Sequence, residues 1–398
     1  MENVKLLSQG KILQEWWQEV KENFWEEDAK REVLRLVKEL MESTMHEELN
    51  VYSYEEYRDR LERYKHYRNG YYRRSLVTQF GRVPSIQVPR LRGMGVKTKV
   101  FRRYHRYQDI VEDLIQDIFL GGISTRKVGT VVSKLLDTKV SAGTVSNITK
   151  RLDTKVRSFH HRELVDEYQY LFMDAITLKV RYNTRYHNRK VLTVYGVTMF
   201  GRKELIDYRQ VQGESYEACV SLLDDLYRRG LKGQNLKLVI TDGAKGLHAG
   251  LDMVYPLVPR QLCWVHKLRN VTNHLPVKYR EGCGKQAADI YKASSKHEAL
   301  TRFKAWRYEW IHLCPQAVEC LERDIDHLLS FFDCPKTHWK KVRTTNAIER
   351  SFKEVRRRTN VFSCFSNIAS CDRIIYAIFT HLNNNWKDRL LKDFTQFA

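Results

Sequence analysis

Three carboxylates in this sequence stand where chemistry could be done. Asp174 lies inside the apolar run LFMDAITLKV, which reads as a β-strand. A carboxylate in such a strand is costly to bury without a partner or a cation. Asp242 closes a second short apolar run, KLVIT, and is followed by Gly243. Glu349 falls in TTNAIERSFKEVRRR, a helical stretch with Thr345 or Asn346 as its cap. Hard cations take oxygen ligands, and two strand-borne Asp with one helix-borne Glu can converge on them. Two ions about 4 Å apart would activate a water or a 3′-hydroxyl and stabilise the leaving oxygen in phosphodiester displacement. No covalent nucleophile is then needed. Singly, the residues have plainer readings: Asp242 as a turn or helix cap, Asp174 as a buried, hydrogen-bonded side chain.

Other candidates cluster beside these three. Lys353 and Arg356 stand at i+4 and i+7 from Glu349, hence roughly on its face, with Arg350, Arg357 and Arg358 around that stripe. Cations beside a metal-binding carboxylate would hold the phosphates that flank a scissile bond; a solvated helix face is the alternative. Lys245 and Lys179 stand similarly near the two Asp. Cys263-Trp264-Val265-His266 has half the spacing of a zinc site, with no second pair to complete it. Cys263 and His266 are therefore read as bracing or contacting the active site, with His266 able to touch the scissile phosphate.

These residues need elements to hold them. Tyr168–Val180, Val191–Phe200 and Glu204–Val211 read as strands, the last two joined at Gly201-Arg202. Tyr216–Arg229 reads as a helix with Cys219, Leu222, Leu223 and Leu226 on one face. Lys237–Thr241 and Leu257–Leu262 are further short strands. The order β-β-β-α-β-α-β is an α/β pattern with a mixed sheet. Asp242 and Glu349 are 107 residues apart, too far for a direct strand-to-helix connection. Between them, residues 276–340 look helical, with Trp306, Trp310, Leu313, Val318 and Leu321 at helical spacing. Thr344–Arg358 and Ser370–Leu382 read as helices.

The 398 residues carry 69 Lys and Arg against 48 Asp and Glu, a net charge of +21 that calls for a polyanionic partner. Twenty-two Tyr, many beside Arg, suit packing on nucleic acid. No apolar run approaches a membrane span, and the N-terminus lacks the pattern of a signal peptide. The eight Cys are scattered without a C-x-x-C pair and read as reduced, intracellular thiols. The expected location is the cytoplasm, in association with the nucleoid.

Charge switches sign along the first hundred residues. Residues 1–57 carry 14 acidic and 7 basic side chains, whereas residues 58–107 carry 15 basic and 2 acidic. The acidic part, Ile12 to Leu49, has helical spacing at Leu34, Val37, Leu40 and Met41. It reads either as a docking or dimerisation arm or as an amphipathic helix packed on its own domain. The basic part contains two alternating runs, Ser75–Phe80 and Ser85–Val88, around a turn at Gly81-Arg82-Val83-Pro84. Arg73, Arg74, Arg82, Arg90, Arg92, Lys97, Lys99, Arg102 and Arg103 stud this hairpin and would repel one another unless a polyanion neutralised them. Two short helices follow, capped by Ser124 and Ser141, the second offering Thr144, Asn147, Lys150 and Arg151 as a recognition face. An ordinary helical hairpin is the alternative.

The segments LDTKV with YLFMDAITLKVR, LVITDGAKGL, RQLCWVHKLRNV and RTTNAIERSFKEVRRRTNVF resemble the mutator-type bacterial insertion-sequence transposases. The resemblance runs from the FGRVPSIQVPR hairpin to a C-terminal helix ending near Trp386. It implies an RNase H-like mixed-sheet catalytic core with a mostly helical insertion, preceded by helical and helix-turn-helix DNA-binding regions. It implies that Asp174, Asp242 and Glu349 are the catalytic, metal-binding triad for Mg²⁺ (Mn²⁺ substituting), two ions per site. Cys263 and His266 match the family's C-x-x-H element. The implied activity is metal-dependent strand cleavage and transfer at the element's terminal inverted repeats. The implied partners are double-stranded end and target DNA and at least one further copy of the chain.

The expected organisation is an acidic helical region (1–57), a basic hairpin (58–110) and a helix-turn-helix region (111–160). The catalytic core follows in two parts (165–275 and 341–398) around the helical insertion (276–340). An RNase H-like nuclease or resolvase without strand transfer, and a non-enzymatic helix-turn-helix regulator, remain as alternatives.

Overall fold

The computed structural model describes residues 25–59, 68–91, 98–102, 105–121, 123–360 and 364–395. They fall into two compact units, Met1–Thr149 and Lys150–Ala398.

In the first unit a long helix, α1 (Trp25–Asp59), packs on a two-stranded antiparallel hairpin, β1 (Arg68–Thr78) and β2 (Gly81–Leu91). Met41 and Met45 bury against Leu76, Val83, Ile86 and Val88, with Leu34 and Val37 at the margin. Leu40 points away and is exposed. Two acidic side chains accept from backbone of the basic segment: Glu42 from Gln87 N–H at 2.7 Å and Glu48 from Lys99 N–H at 2.9 Å. From Trp25 on, α1 is thus an amphipathic helix docked within its own unit; the expected start at Ile12 lies outside the described residues.

The hairpin turn falls at Gln79-Phe80, not at Gly81–Pro84. The Thr78 hydroxyl donates to the Gly81 carbonyl at 2.9 Å and accepts from Phe80 N–H at 3.2 Å, closing a tighter loop than composition suggests. Pro84, which has no N–H to give a ladder, falls where a register shift breaks the pairing.

Three helices complete this unit: α2 (Asp109–Leu120), α3 (Thr125–Leu136) and α4 (Ala142–Thr149). Ser124 accepts from Lys127 N–H at 3.4 Å and Ser141 from Thr144 N–H at 3.1 Å, so both expected caps are in place. The loop after α3 passes very close: a Cβ on Gly129 would lie 2.5 Å from the Val140 carbonyl oxygen.

The second unit begins with α5 (Leu152–His161) and is built on five strands: β3 (Tyr168–Tyr182), β4 (Arg185–Thr198), β5 (Lys203–Val211), β6 (Leu238–Thr241) and β7 (Arg260–Leu262). Their order is β5-β4-β3-β6-β7, antiparallel across β5, β4 and β3 and parallel across β3, β6 and β7. The fold is therefore mixed α/β, as the sequence pattern indicated. One face buries Leu171, Met173, Leu192 and Val194 against α6 (Tyr216–Arg228) and α7 (Lys245–Val254), through Leu222, Leu223, Leu247 and Leu251. The alternate residues, Tyr170, Phe172 and Asp174, face the other way by the strand's two-residue period. Edge strand β5 is closed by α15 (Ile368–Trp386): Asn383 accepts from Leu205 N–H at 2.9 Å and donates to its carbonyl at 3.0 Å.

Residues between β7 and Glu349 are helical: α8 (Trp264–Asn273), α9 (Val277–Ile290), α10 (Lys296–Trp310), α11 (Pro315–Glu322), α12 (Ile325–Leu329) and α13 (Trp339–Val342). Trp306, Trp310, Val318 and Leu321 are buried as their spacing indicates, but Leu313 is exposed, because α10 has ended and the chain turns there. Buried Gln261 and Trp264 stitch this excursion to the sheet, both donating to the Leu328 carbonyl, at 2.9 and 2.7 Å. After it come α14 (Asn346–Thr359), then α15 and the short α16 (Lys392–Thr395).

Candidate active site

The parallel ladder sets two of the carboxylates side by side. Met173 on β3 is level with Thr241, the last residue of β6, so Asp174 in the middle of β3 and Asp242 just past the end of β6 come side by side. Asp174 is buried and accepts from Ala175 N–H at 2.7 Å. Burial, reinforced by the charges of Asp242 and Glu349, pushes its carboxyl up to about 6; the Ala175 N–H and His266 pull the other way. Asp242 is half-buried, and one carboxylate oxygen accepts from Ala244 N–H at 3.1 Å. Gly243, at φ +96°, makes the sharp turn into α7. Asp242 thus closes the turn ahead of α7, one of its foreseen plain roles, while Ala244 holds the helix's cap position.

Glu349 comes from the first turn of α14, where the helix dipole favours a carboxylate. Thr345 occupies the cap position, but its hydroxyl does not cap the helix. Instead its N–H and its hydroxyl both donate to the sulfur of Cys263, at 3.3 and 3.4 Å. Cys263 N–H in turn donates to the Thr241 carbonyl at 2.8 Å, and Trp264 N–H to Arg343 at 3.1 Å. The residue before α8 thus ties the end of β6, where Asp242 starts, to the start of the helix that carries Glu349.

His266, in the first turn of α8, brings its Nε2 to 3.5 Å from Glu349 Oε1. Donor atoms of Asp174, His266 and Glu349 all lie within 4.8 Å of one another. Asp242 falls outside that radius yet close enough for its charge to act on both Asp174 and His266. The neighbouring Cys263 raises the His266 imidazole to about 9 against the effect of burial, with Asp174 and Asp242 adding to the rise. Burial alone would push the Cys263 thiol up; the adjacent His266 and the two Thr345 donors more than offset it and hold the thiol below its ordinary range. At neutral pH the ring is a cation among three carboxylates. Sequence reading gave His266 a supporting place; the close approach to Asp174 and Glu349 was hidden because only the folded excursion from α8 to α14 creates it.

The other expected residues are dispersed. On α14, Lys353 and Arg356 are exposed. Arg357 is bound at both its Nε and Nη2 by Glu354, at 2.9 and 2.8 Å, so its charge is spent within the helix. Glu354 four residues from Arg358 and three from Arg357 was the signal for this pairing. In the first unit, Arg73, Arg82 and Arg90 are exposed on the hairpin, with Arg90 over the Tyr72 ring at 4.8 Å. Arg74 lies over the Phe101 ring at 3.9 Å and donates to the His105 carbonyl, which is structural work. Arg92, with Lys97 and Arg103, lies outside the described residues. The expected recognition face is divided: Thr144 and Asn147 stand on α4, but the helix ends at Thr149, and Lys150 and Arg151 precede α5 in the second unit. The Thr144 hydroxyl lies 3.0 Å from that of Ser141 at the cap.

All eight cysteines are free, and among the described residues no helix is long and apolar enough to cross a membrane.

A family model described as "Transposase, Mutator family" matches residues 8–389. The chain belongs to the Mutator family of transposases. This Mutator-family chain is 34% identical over 362 residues to the transposase for insertion sequence element ISRM5 of Rhizobium meliloti, spanning 91% of this chain and 89% of that protein. It is 30% identical over 363 residues to the transposase for insertion sequence element IS256 in transposon Tn4001 of Staphylococcus aureus, spanning 90% and 91%. Among solved structures, a chain of the Drosophila P element transposase strand transfer complex aligns over 73% of this chain and 67% of its own length, with 13% identity and a TM-score of 0.30.

Proposed function

We propose that this Mutator-family protein is a metal-dependent DNA transposase whose catalytic residues are Asp174, Asp242 and Glu349. The observation that carries the proposal is the convergence of Asp174 and Glu349 donor atoms within 4.8 Å, with Asp242 emerging beside Asp174. The donor set fits a divalent cation. It offers carboxylate oxygens, and Asp174 is held near 6 by burial and by two neighbouring negative charges, a repulsion that a cation would relieve. Asp174, Asp242 and Glu349 would hold Mg²⁺, or Mn²⁺ in its place, two ions to a site. When bound, such ions supply Lewis acidity to the attacking and leaving oxygens of a phosphodiester.

The chain's own residues do the rest. The sheet and the Cys263–Thr345 link fix the three carboxylates on separate rigid elements, so little reorganises during reaction. His266, charged at neutral pH, offsets part of the negative field and lies within reach of a phosphate oxygen. Lys353 and Arg356 stand one and two turns along from Glu349 to hold adjacent phosphates. The sheet order, antiparallel then parallel, with helices on both faces, supports an RNase H-like core. The DNA partners are the element's terminal inverted repeats and a target duplex. Exposed Arg73, Arg82 and Arg90, with Thr144 and Asn147, would serve end binding. Pairing two ends calls for at least two copies of the chain, and the site of action is the bacterial nucleoid.

The test uses purified protein, Mg²⁺ and a labelled duplex carrying the terminal inverted repeat from beside the gene. A nick at the element's 3′ end followed by joined product is expected. A nick without joining would move the assignment to an RNase H-like nuclease. Tight binding with no cleavage in Mg²⁺ or Mn²⁺ would reject the catalytic reading in favour of a regulator.

A further inference from the structure

The longest strands of the sheet overshoot it. β6 pairs with β3 only through Met173, and β5 pairs with β4 only from Lys190 onward. Beyond those points β3 and β4 continue together to the turn at Asn183 and Thr184, as a two-stranded arm running on from Asp174. One further segment braces it: Phe365 N–H donates to the Lys179 carbonyl at 2.9 Å, and Arg181 N–H to the Phe365 carbonyl at 2.8 Å.

The charge of this arm is of one sign. From Ala175 to Lys190 the chain has five Lys and Arg and no Asp or Glu. Lys190 is satisfied by Glu214 at 2.8 Å. Among the described residues, Lys179, Arg181 and Arg185 have no acidic partner. Lys179 opposite Asn188 and Arg181 opposite Tyr186 set these four side chains on one face. Tyr186 is 66% exposed. A cavity of about 380 Å³ on that face is lined by Lys179, Tyr186, Asn188 and Cys364. A face that served only to meet water would mix its signs; unopposed cations with an exposed ring and an amide match the phosphates, sugars and bases of a nucleic acid strand.

We propose that the β3–β4 arm is a DNA-binding surface beside the catalytic centre. This rests on the transposase reading above and adds a site to it. Lys179 and Arg181 stand five and seven residues beyond Asp174, about 16 and 23 Å along a strand that rises about 3.3 Å per residue. Those odd separations set them on the opposite face of the strand from Asp174. The arm therefore holds a stretch of duplex away from the carboxylates, with its two cations on phosphates and Tyr186 on the backbone between them.

The experiment measures binding of the full chain, without metal, to a duplex holding the inverted repeat and its flanking DNA, between 50 and 200 mM salt. In Lys179→Ala/Arg181→Ala the slope of log affinity against log salt is expected to fall by about 1.8, near 0.9 for each phosphate no longer neutralised. Each single variant should lower it by about 0.9, which serves if the double variant folds poorly. Charge-retaining Arg181→Lys should keep the slope. Tyr186→Ala should weaken binding with the slope unchanged. Parental slope and affinity in the double variant, with an unaltered melting temperature, overturn the arm while leaving the transposase reading intact. A parent chain that neither binds nor cuts the duplex overturns both.

Discussion

Replacing Asp174 by Asn should stabilise the metal-free protein while destroying its chemistry. The carboxyl is buried, and its pKa rises from the ordinary 3.8 to about 6. At about 1.4 kcal/mol per pKa unit, the shift corresponds to about 3 kcal/mol held against the ionised form in the folded chain. The folded state binds this proton more tightly than the unfolded state. The cost is therefore absent below pH 3.8, grows between 3.8 and 6, and is complete above 6. Asn carries no charge and still offers an oxygen to Ala175 N–H. Urea unfolding in EDTA at pH 7.5 should show Asp174→Asn more stable by about 1–3 kcal/mol, and most of the gain should vanish by pH 4. Adding Mg²⁺ should close the gap, because only the parent gains from binding it. An Asn variant no more stable than the parent at pH 7.5, or a gain unchanged at pH 4, would refute the reasoning that burial, with the neighbouring carboxylates, penalises the ionised Asp174.

Three further outcomes follow from the geometry. Asp242→Asn and Glu349→Gln should each cut strand cleavage by about 100-fold or more, with binding to the inverted-repeat duplex within a few-fold of the parent; gel and anisotropy assays on one preparation check both. Cys263→Ala should leave two buried donors of Thr345 without an acceptor, lowering stability by about 1–3 kcal/mol, and should drop the His266 titration seen by NMR from about 9 toward 6.5. Gly129→Ala would force a Cβ against the Val140 carbonyl at 2.5 Å and should cost about 1–3 kcal/mol in thermal unfolding without altering cleavage by protein that remains folded.

Much of this was legible in the residues because burial writes itself into strands. Asp174 stands out in an apolar run, and Asp242 ends another, so their placement within one strand and at the end of another needed only the two-residue period and a turn glycine. What one sequence does not carry is register and closure. Met173 beside Thr241 is a pairing across 68 positions, and the approach of His266 to Glu349 waits on the whole helical excursion between them. Side-chain choices with two plausible partners were also hidden. The Thr345 hydroxyl could cap its helix or bond a sulfur, and Arg357 could face phosphate or Glu354; in the structure they bond Cys263 and Glu354. The hairpin turn moved for the same reason, since the Thr78 hydroxyl closes a two-residue loop that Gly-Pro content had placed further on.

The most direct test of the central claim is a Mn²⁺ titration followed by electron paramagnetic resonance, on the parent chain and on Glu349→Gln, each with the inverted-repeat duplex bound. The parent should take up two ions per chain, and Glu349→Gln should lose at least one of them together with cleavage. Equal uptake by both proteins, or cleavage by a parent that takes up none, would contradict a metal-dependent site built from Asp174, Asp242 and Glu349.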